Sequence, residues 1–387
     1  MKENGKYQLL QCAYYASHCV VFSYAIYYLT IAGLSDRTTG LLVAMACLLS
    51  SLSQGATGRL ADRSALFSWK KQLQIYAIFE IILSLILFIP KSSSATGAIF
   101  ALLILFSLLM MPMVNAAGFY YKDAEKKVDF GIARGLGSLS YAITAYIAGK
   151  LTVQWGPSMI LFLNISASVF LLFVATSMPY TAKVQQPSTK SGDTMPQKNM
   201  LQAYPAFFIT AIGAMLFVFF NNMVAIYMIR IMERAGGNSG SMGTALAIAA
   251  CAELPMLFLY SRLAKHVSAS KLIVISGFFF SLKGILFISA PSVHAIYAVQ
   301  LLQSVSFGLL VAAKAHYADT CMTPENKVTG QSVMTMTESL ASVLASLTGG
   351  LLMGSGGIML LLWCATGAAI AGTLITGLTC CIKNSKI

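Results

Sequence analysis

Charge is what this chain of 387 residues has least of. Asp, Glu, Lys and Arg together make up 10% of it, against about 25% in a soluble globular protein. So few charges cannot dress a water-solvated surface, and a single soluble fold is excluded. Histidine is scarce too. Four residues, scattered at 18, 266, 294 and 316, give no metal-ligand spacing and make a metalloenzyme untenable. There is no G-x-S-x-G and no P-loop, which removes the common hydrolase elbow and ATP-driven transport. The chain is therefore read as no enzyme, with neither cofactor nor metal. The eight cysteines form no C-x-x-C pair, and most lie in apolar runs. They read as small buried hydrophobes, not as a disulfide framework. No A-x-A-like cleavage site follows the short basic start of Lys2 and Lys6, so the first apolar run is expected to stay as a span.

What is abundant is hydrophobicity: 57% of residues, with a mean hydropathy of +0.74. A membrane crossing needs about 20 mostly apolar residues. Residues 92–121, 151–182 and 199–229 hold no charge at all, and neither does 339–382, which is long enough for two spans split at Gly354, Gly356 and Gly357. The pattern predicts twelve helices, roughly at 8–31, 39–58, 72–90, 97–121, 131–153, 157–178, 201–229, 240–261, 270–290, 293–315, 328–353 and 357–382. The 26 Lys and Arg outnumber the 13 Asp and Glu. The basic residues sit in short loops, which points to lipid headgroups and topology, not to nucleic acid. With the amino terminus inside, nineteen of the 26 fall on the cytoplasmic side and five on the other. Both termini are thus expected in the cytoplasm, in a bacterial-type inner membrane.

The longest polar stretch, 179–200, lies near the middle. It divides the chain into an amino-terminal bundle, 1–178, and a carboxy-terminal bundle, 201–387, joined by a cytoplasmic linker. A weak repeat supports this. Gly58-Arg59-Leu60-Ala61-Asp62-Arg63 follows the second span and Ser261-Arg262-Leu263-Ala264-Lys265-His266 follows the eighth, 203 residues later. Paired halves around a midplane site are the usual build of secondary transporters.

The same loop, with Lys70 and Lys71 beyond it, resembles the signature of the major facilitator superfamily between its second and third helices. Asp129-Phe130-Gly131 through Arg134, Gly137, Ser138 and Tyr141, then Ala252-Glu253-Leu254-Pro255, Ser281-Leu282-Lys283-Gly284 and Gln300 through Gly308, resemble the branch holding the lactose and phenylpropionate permeases. The resemblance covers the whole chain. It implies an all-α membrane protein of two pseudo-symmetric six-helix bundles. It implies that Arg134 binds substrate, Tyr141 stacks on a sugar ring, Glu253 binds hydroxyls and Lys283 serves proton coupling. Gln303 stands where that branch often has histidine, Asn115 where the fourth helix has a carboxylate, and Asn221 and Asn222 where the seventh has aspartates.

Read on their own chemistry, ionisable groups at bilayer depth are costly and mark sites. Arg134 offers five fixed donors for hydroxyls or a carboxylate. Glu253 and Lys283 compete over one proton, with Glu338 a second carrier. Asn115, Asn222 and Tyr24 add polar lining. Of Asn221 and Asn222, adjacent residues, one is expected to face the cavity. Glu80 is placed as structural, and Lys314 and His316 near headgroups or loop acids. Gly58, Asp62 and Arg63 read as a latch that biases the conformational equilibrium. The small residues Gly135, Ser138, Ala142, Ala145 and Gly149 form one stripe for close helix packing. The chain is expected to be a monomeric proton symporter for a small sugar, glycoside or nucleoside. Uptake of an aromatic or other organic acid is the alternative, and efflux of amphipathic compounds a further one.

Overall fold

The computed structural model describes residues 3–63, 67–90, 92–123, 129–179, 202–323 and 326–384, and among these there is helix and no strand. Hydrocarbon dictates this. A crossing has no water to satisfy its N–H and C=O groups, so each must pair them within itself. α1 (Glu3–His18) runs through a π-helical turn, Cys19–Ser23, into α2 (Ala25–Ile31), and the three make the first crossing. α3 (Asp36–Arg63), α4 (Trp69–Leu87), α5 (Ser93–Asp123), α6 (Phe130–Trp155) and α7 (Ser158–Ser177) complete the first half. The second half starts with α8 (Pro205–Ile226) and the short α9 (Met228–Arg234). α10 (Ser239–Leu263) and α11 (Ala269–Ser289) follow. α12 (Val293–Gln300) passes through tight and wide turns into α13 (Leu309–Cys321). α14 (Lys327–Asn384) holds the last two crossings, broken at Gly357 with φ +67.

These are the twelve crossings expected, within a few residues at each end. Among the described residues, eight segments are long and apolar enough to span a bilayer on composition alone, with 329–380 counting as one of them. The first, third and fifth crossings fall short: the π-helical turn leaves α1 only 16 residues long, α4 carries Lys70, Lys71 and Glu80, and α6 carries Arg134 and Lys150. Beyond Pro179, the linker lies outside the described residues, as do the side chains of Asp62 and Arg63.

The two halves repeat each other in detail. Four loops turn on glycines in the left-handed region: Gly33, Gly156, Gly236 and Gly357. Gly236 lies 203 residues after Gly33, and Gly357 lies 201 after Gly156. All four are at one end of the bundle, the short-loop end. The other end carries the basic loops. There, Lys6 and Lys70 donate to Ser177 O and Met178 O at 2.5 Å, capping the exposed carbonyls of α7. At the short-loop end, Arg234 does the same for α11, donating to Phe287 O at 2.6 Å. Asp129 caps α6 and Asn238 caps α10 through a reciprocal capping box.

At the short-loop end the halves meet on glycine. A Cβ placed on Gly40 of α3 would lie 2.7 Å from Gly350 Cα and 2.6 Å from Tyr227 Oη. One placed on Gly243 of α10 would lie 2.9 Å from Gly149 Cα and 2.7 Å from Tyr24 Oη. The second set is the first carried through the repeat: 40 to 243, 149 to 350, 24 to 227. Only a glycine fits such a crossing. Arg230 then ties the halves together, with Nη2 2.8 Å from Asp36 Oδ1 and 3.0 Å from Thr30 Oγ1. Among the described residues of the basic end no such glycine crossing recurs. A Cβ on Gly55, Gly58 or Gly135 would meet nothing within 4 Å, and Thr335 is exposed.

Candidate functional site

Between the halves lies a cavity of about 530 Å³. Its amino-terminal wall comes from the first crossing and from α3, α5 and α6. Arg134 sits one turn inside α6, placed there by the Asp129 cap. Its guanidinium lies over the Tyr15 ring, 4.3 Å from the centroid, and Nη1 donates to Ser138 Oγ at 3.0 Å. No carboxylate pairs with it among the described residues. Tyr141, two turns further on, bonds Ser23 Oγ at 2.7 Å and lines the cavity. Asn115 of α5 lines the same wall and accepts from Gln11 Nε2 at 3.4 Å. His18 lines it as well, stacked between Tyr14 and Phe22 and 3.2 Å from Ser107 Oγ. The stripe on α6 divides its work. Ala142, Ala145 and Gly149 pack, while Ser138 lines the cavity beside Arg134.

The carboxy-terminal wall is a hydrogen-bonded chain across four helices. Lys283 of α11 donates to Gln303 Oε1. Gln303 Nε2 donates onward to Glu253 Oε1 of α10 at 2.9 Å and to Asn221 Oδ1 of α8 at 3.0 Å. Lys283 is 2% exposed, so that amide oxygen is its anchor. The Glu253–Lys283 relation expected from sequence is thus bridged, not direct. Gln303 fills the place of the branch's histidine as a relay that accepts from the cation and donates to the acid. Pro255, inside α10, leaves that helix unbroken.

Several expectations need correcting. Both Asn221 and Asn222 line the cavity, Asn222 donating to Ser342 Oγ at 2.8 Å. A wide cavity wraps enough of α8 to reach residues 100° apart. Lys314 does not face headgroups. It is buried, and its ammonium is paired with Glu338 of α14. Glu338 lines the cavity with that partner behind it. Tyr24 does not line the cavity. It is wholly buried, donating to Ala145 O at 2.7 Å in the seal at the short-loop end. An aromatic on an inward helix face reads the same in sequence whether it lines a pocket or plugs a crossing.

Sequence reasoning missed the seal itself: Asp36, Arg230, Tyr227 and the paired glycines. One signal was available. Few basic residues lie on the short-loop side, and Arg230 is one of them.

The MFS_1 like family model matches residues 6–362. The transporter YwbF of Bacillus subtilis (strain 168) is 22% identical over 286 residues, covering 73% of this chain and 69% of that protein. Among solved structures, the nucleoside transporter NupG superposes with a TM-score of 0.81 at 12% identity, covering 98% of this chain and 99% of that one. A POT family transporter in complex with a thioalcohol conjugated peptide gives 0.74 at 13% identity, covering 98% and 96%. At such identities the structural likeness speaks for the fold alone.

Proposed function

Because this chain belongs to the MFS_1 like family, and so is a membrane transporter, we propose that it carries a small hydroxyl-bearing solute, a nucleoside or a glycoside, together with protons by alternating access. One observation carries this reading. Across the cavity, an arginine with no carboxylate of its own faces a chain in which an acid, an amide and a lysine share hydrogen bonds. Arg134 and Ser138, with Asn115 and Asn222, offer donors and acceptors to sugar hydroxyls. Tyr141 and Tyr15 offer faces to a ring. Glu253 is the proton carrier. When it gains a proton its attraction to Lys283 through Gln303 is lost, so occupancy of the site and of the acid can be linked. Glu338, already neutralised by Lys314, is the lesser candidate. NupG is a nucleoside transporter, which favours nucleosides among the hydroxyl-bearing solutes.

The glycine seal and the Arg230–Asp36 pair hold one end shut, while Gly58 stands free at the other. With the basic end in the cytoplasm, this is the inward-facing state, and the end of α3 at Gly58, Asp62 and Arg63 is the latch that closes when the halves rock back. A second reading has its own support. Around the cavity three cations, Arg134, Lys283 and Lys314, stand against two acids, Glu253 and Glu338. The surplus positive charge belongs to Arg134 and suits an organic acid. Calorimetric titration of the purified protein with uridine, a methyl galactoside and phenylpropionate separates the two. Binding of uridine or the galactoside supports the first reading, and binding of phenylpropionate alone replaces it with the second. Binding of none of them, in protein that unfolds cooperatively, would count against both.

A further inference from the structure

Behind the α1 wall of the cavity lies an acid that the transport reading does not use. Glu80, midway along α4, is wholly buried. Its Oε2 has Ser168 Oγ of α7 at 2.7 Å and Ser17 Oγ of α1 at 2.8 Å, while its Oε1 has no hydrogen-bond partner. Ser17 Oγ is also 2.8 Å from Asn164 Oδ1, and Asn164 Nδ2 donates to Ser84 Oγ at 3.0 Å. One serine hydroxyl therefore stands at hydrogen-bond distance from two acceptors.

Counting hydrogens decides what Glu80 is. A serine has one O–H to give. With the Asn164 amide in this orientation and Glu80 ionised, Ser17 has one hydrogen for two acceptors, Glu80 Oε2 and Asn164 Oδ1, so one of the two contacts would set lone pair against lone pair. A proton on Glu80 Oε2 removes the conflict. Oε2–H donates to Ser17, Ser17 to Asn164, and Asn164 to Ser84, while Ser168 donates into Oε2. Each of the four contacts then holds one hydrogen. The one-sided arrangement is accounted for as well, since the bare Oε1 is a neutral carbonyl oxygen and not half of a buried anion.

Charge points the same way. Among the described residues no Lys, Arg or His pairs with Glu80. α7 has no titratable residue, and α5 has none before Tyr120. α1 presents Tyr14, whose hydroxyl is unpartnered, and His18, which is engaged with Ser107; α4 itself adds Tyr76. α3 offers Cys47 at the cavity. None of these is a cation held against the acid, and a buried carboxyl without one neutralises instead.

We propose that Glu80 is a proton-binding site of the amino-terminal half, held in its acid form and separate from Glu253, which clamps α1 at Ser17. The clamp lies next to His18, which lines the cavity, and just before the π-helical turn at Cys19. It fixes the first crossing where its helix widens.

Infrared difference spectra of the full chain in lipid nanodiscs, wild type minus Glu80→Gln, test this without any transport, so the result stands apart from the solute reading. The expected result is a protonated-carboxyl C=O band at neutral pH that persists in alkaline buffer. It should move to higher frequency in Ser17→Ala, where the acid loses its acceptor. A carboxylate band in its place would overturn the proposal. So would thermal stabilisation by sodium or lithium chloride, relative to choline chloride, that is present in the wild type and lost in Glu80→Gln, since the occupant would then be a metal cation. Should the glutamine variant fail to fold, wild type minus Ser17→Ala carries the test: a displaced acid band supports the proposal and an unaltered acid region overturns it.

Discussion

Arg134 is defined by what does not pair with it. Its guanidinium rests on the Tyr15 ring and spends one donor on Ser138, leaving the others toward the cavity. Hydrogen bonds to a charged group contribute about 1.5–3 kcal/mol, which is about tenfold to a hundredfold in Kd. Arg134→Ala should weaken solute binding by that factor in calorimetric titration. Arg134→Lys should restore little of it, because an ammonium lacks the planar fork that both stacks and bridges. Gln303 makes a different kind of prediction. Gln303→Leu would strand the Lys283 ammonium without its acceptor, and an uncompensated buried charge costs about 3–5 kcal/mol. A lowered thermal unfolding midpoint in detergent should report this, with Gln303→Glu far less affected because it offers Lys283 a carboxylate. Arg134, Glu253 and Lys283 were legible in the sequence because any ionisable group in hydrocarbon asks for a reason. Gln303 as the bridge was not, since its role exists only once α8, α10 and α11 are set around it. Tyr24 was misplaced for the complementary reason: nothing in its neighbours along the chain says which side of the helix meets the other half.

At the scale of helices, the seal consists of two equivalent crossings, Gly40 on Gly350 and Gly243 on Gly149, each plugged by a tyrosine from the opposite half. Gly243→Leu should wedge α10 from α6, and Gly40→Leu should wedge α3 from α14. Arg230→Ala should loosen the same end by removing its bonds to Asp36 and Thr30, biasing the equilibrium by about 1–3 kcal/mol. In each variant a cysteine placed at Thr39, which is buried here, should react faster with a membrane-impermeant maleimide than in the parent. The limits of the helices were legible because charge-free runs and loop glycines mark them. The π-helical turn in the first crossing was not. Cys19–Ser23 has no proline or glycine to announce it, and it is packed against α6 and α7.

On the scale of the whole molecule, the twofold build could be read before any coordinates, from hydropathy and one loop motif repeated at an offset of 203 residues. The structure extends that repeat to the loop glycines, the crossing glycines and the plugging tyrosines. Which end is shut could not be read, because it is set by contacts between the halves, the glycine crossings and the Arg230–Asp36 pair. On the proposed reading, rocking of the halves moves a solute uphill because a proton moves with it. Proteoliposomes holding a pH-sensitive dye, given a bound solute from outside, measure that directly. Wild type should acidify the interior on solute addition, while Glu253→Gln should exchange labelled solute yet leave the dye unchanged. Solute accumulation in wild type with no change in internal pH would contradict proton coupling outright.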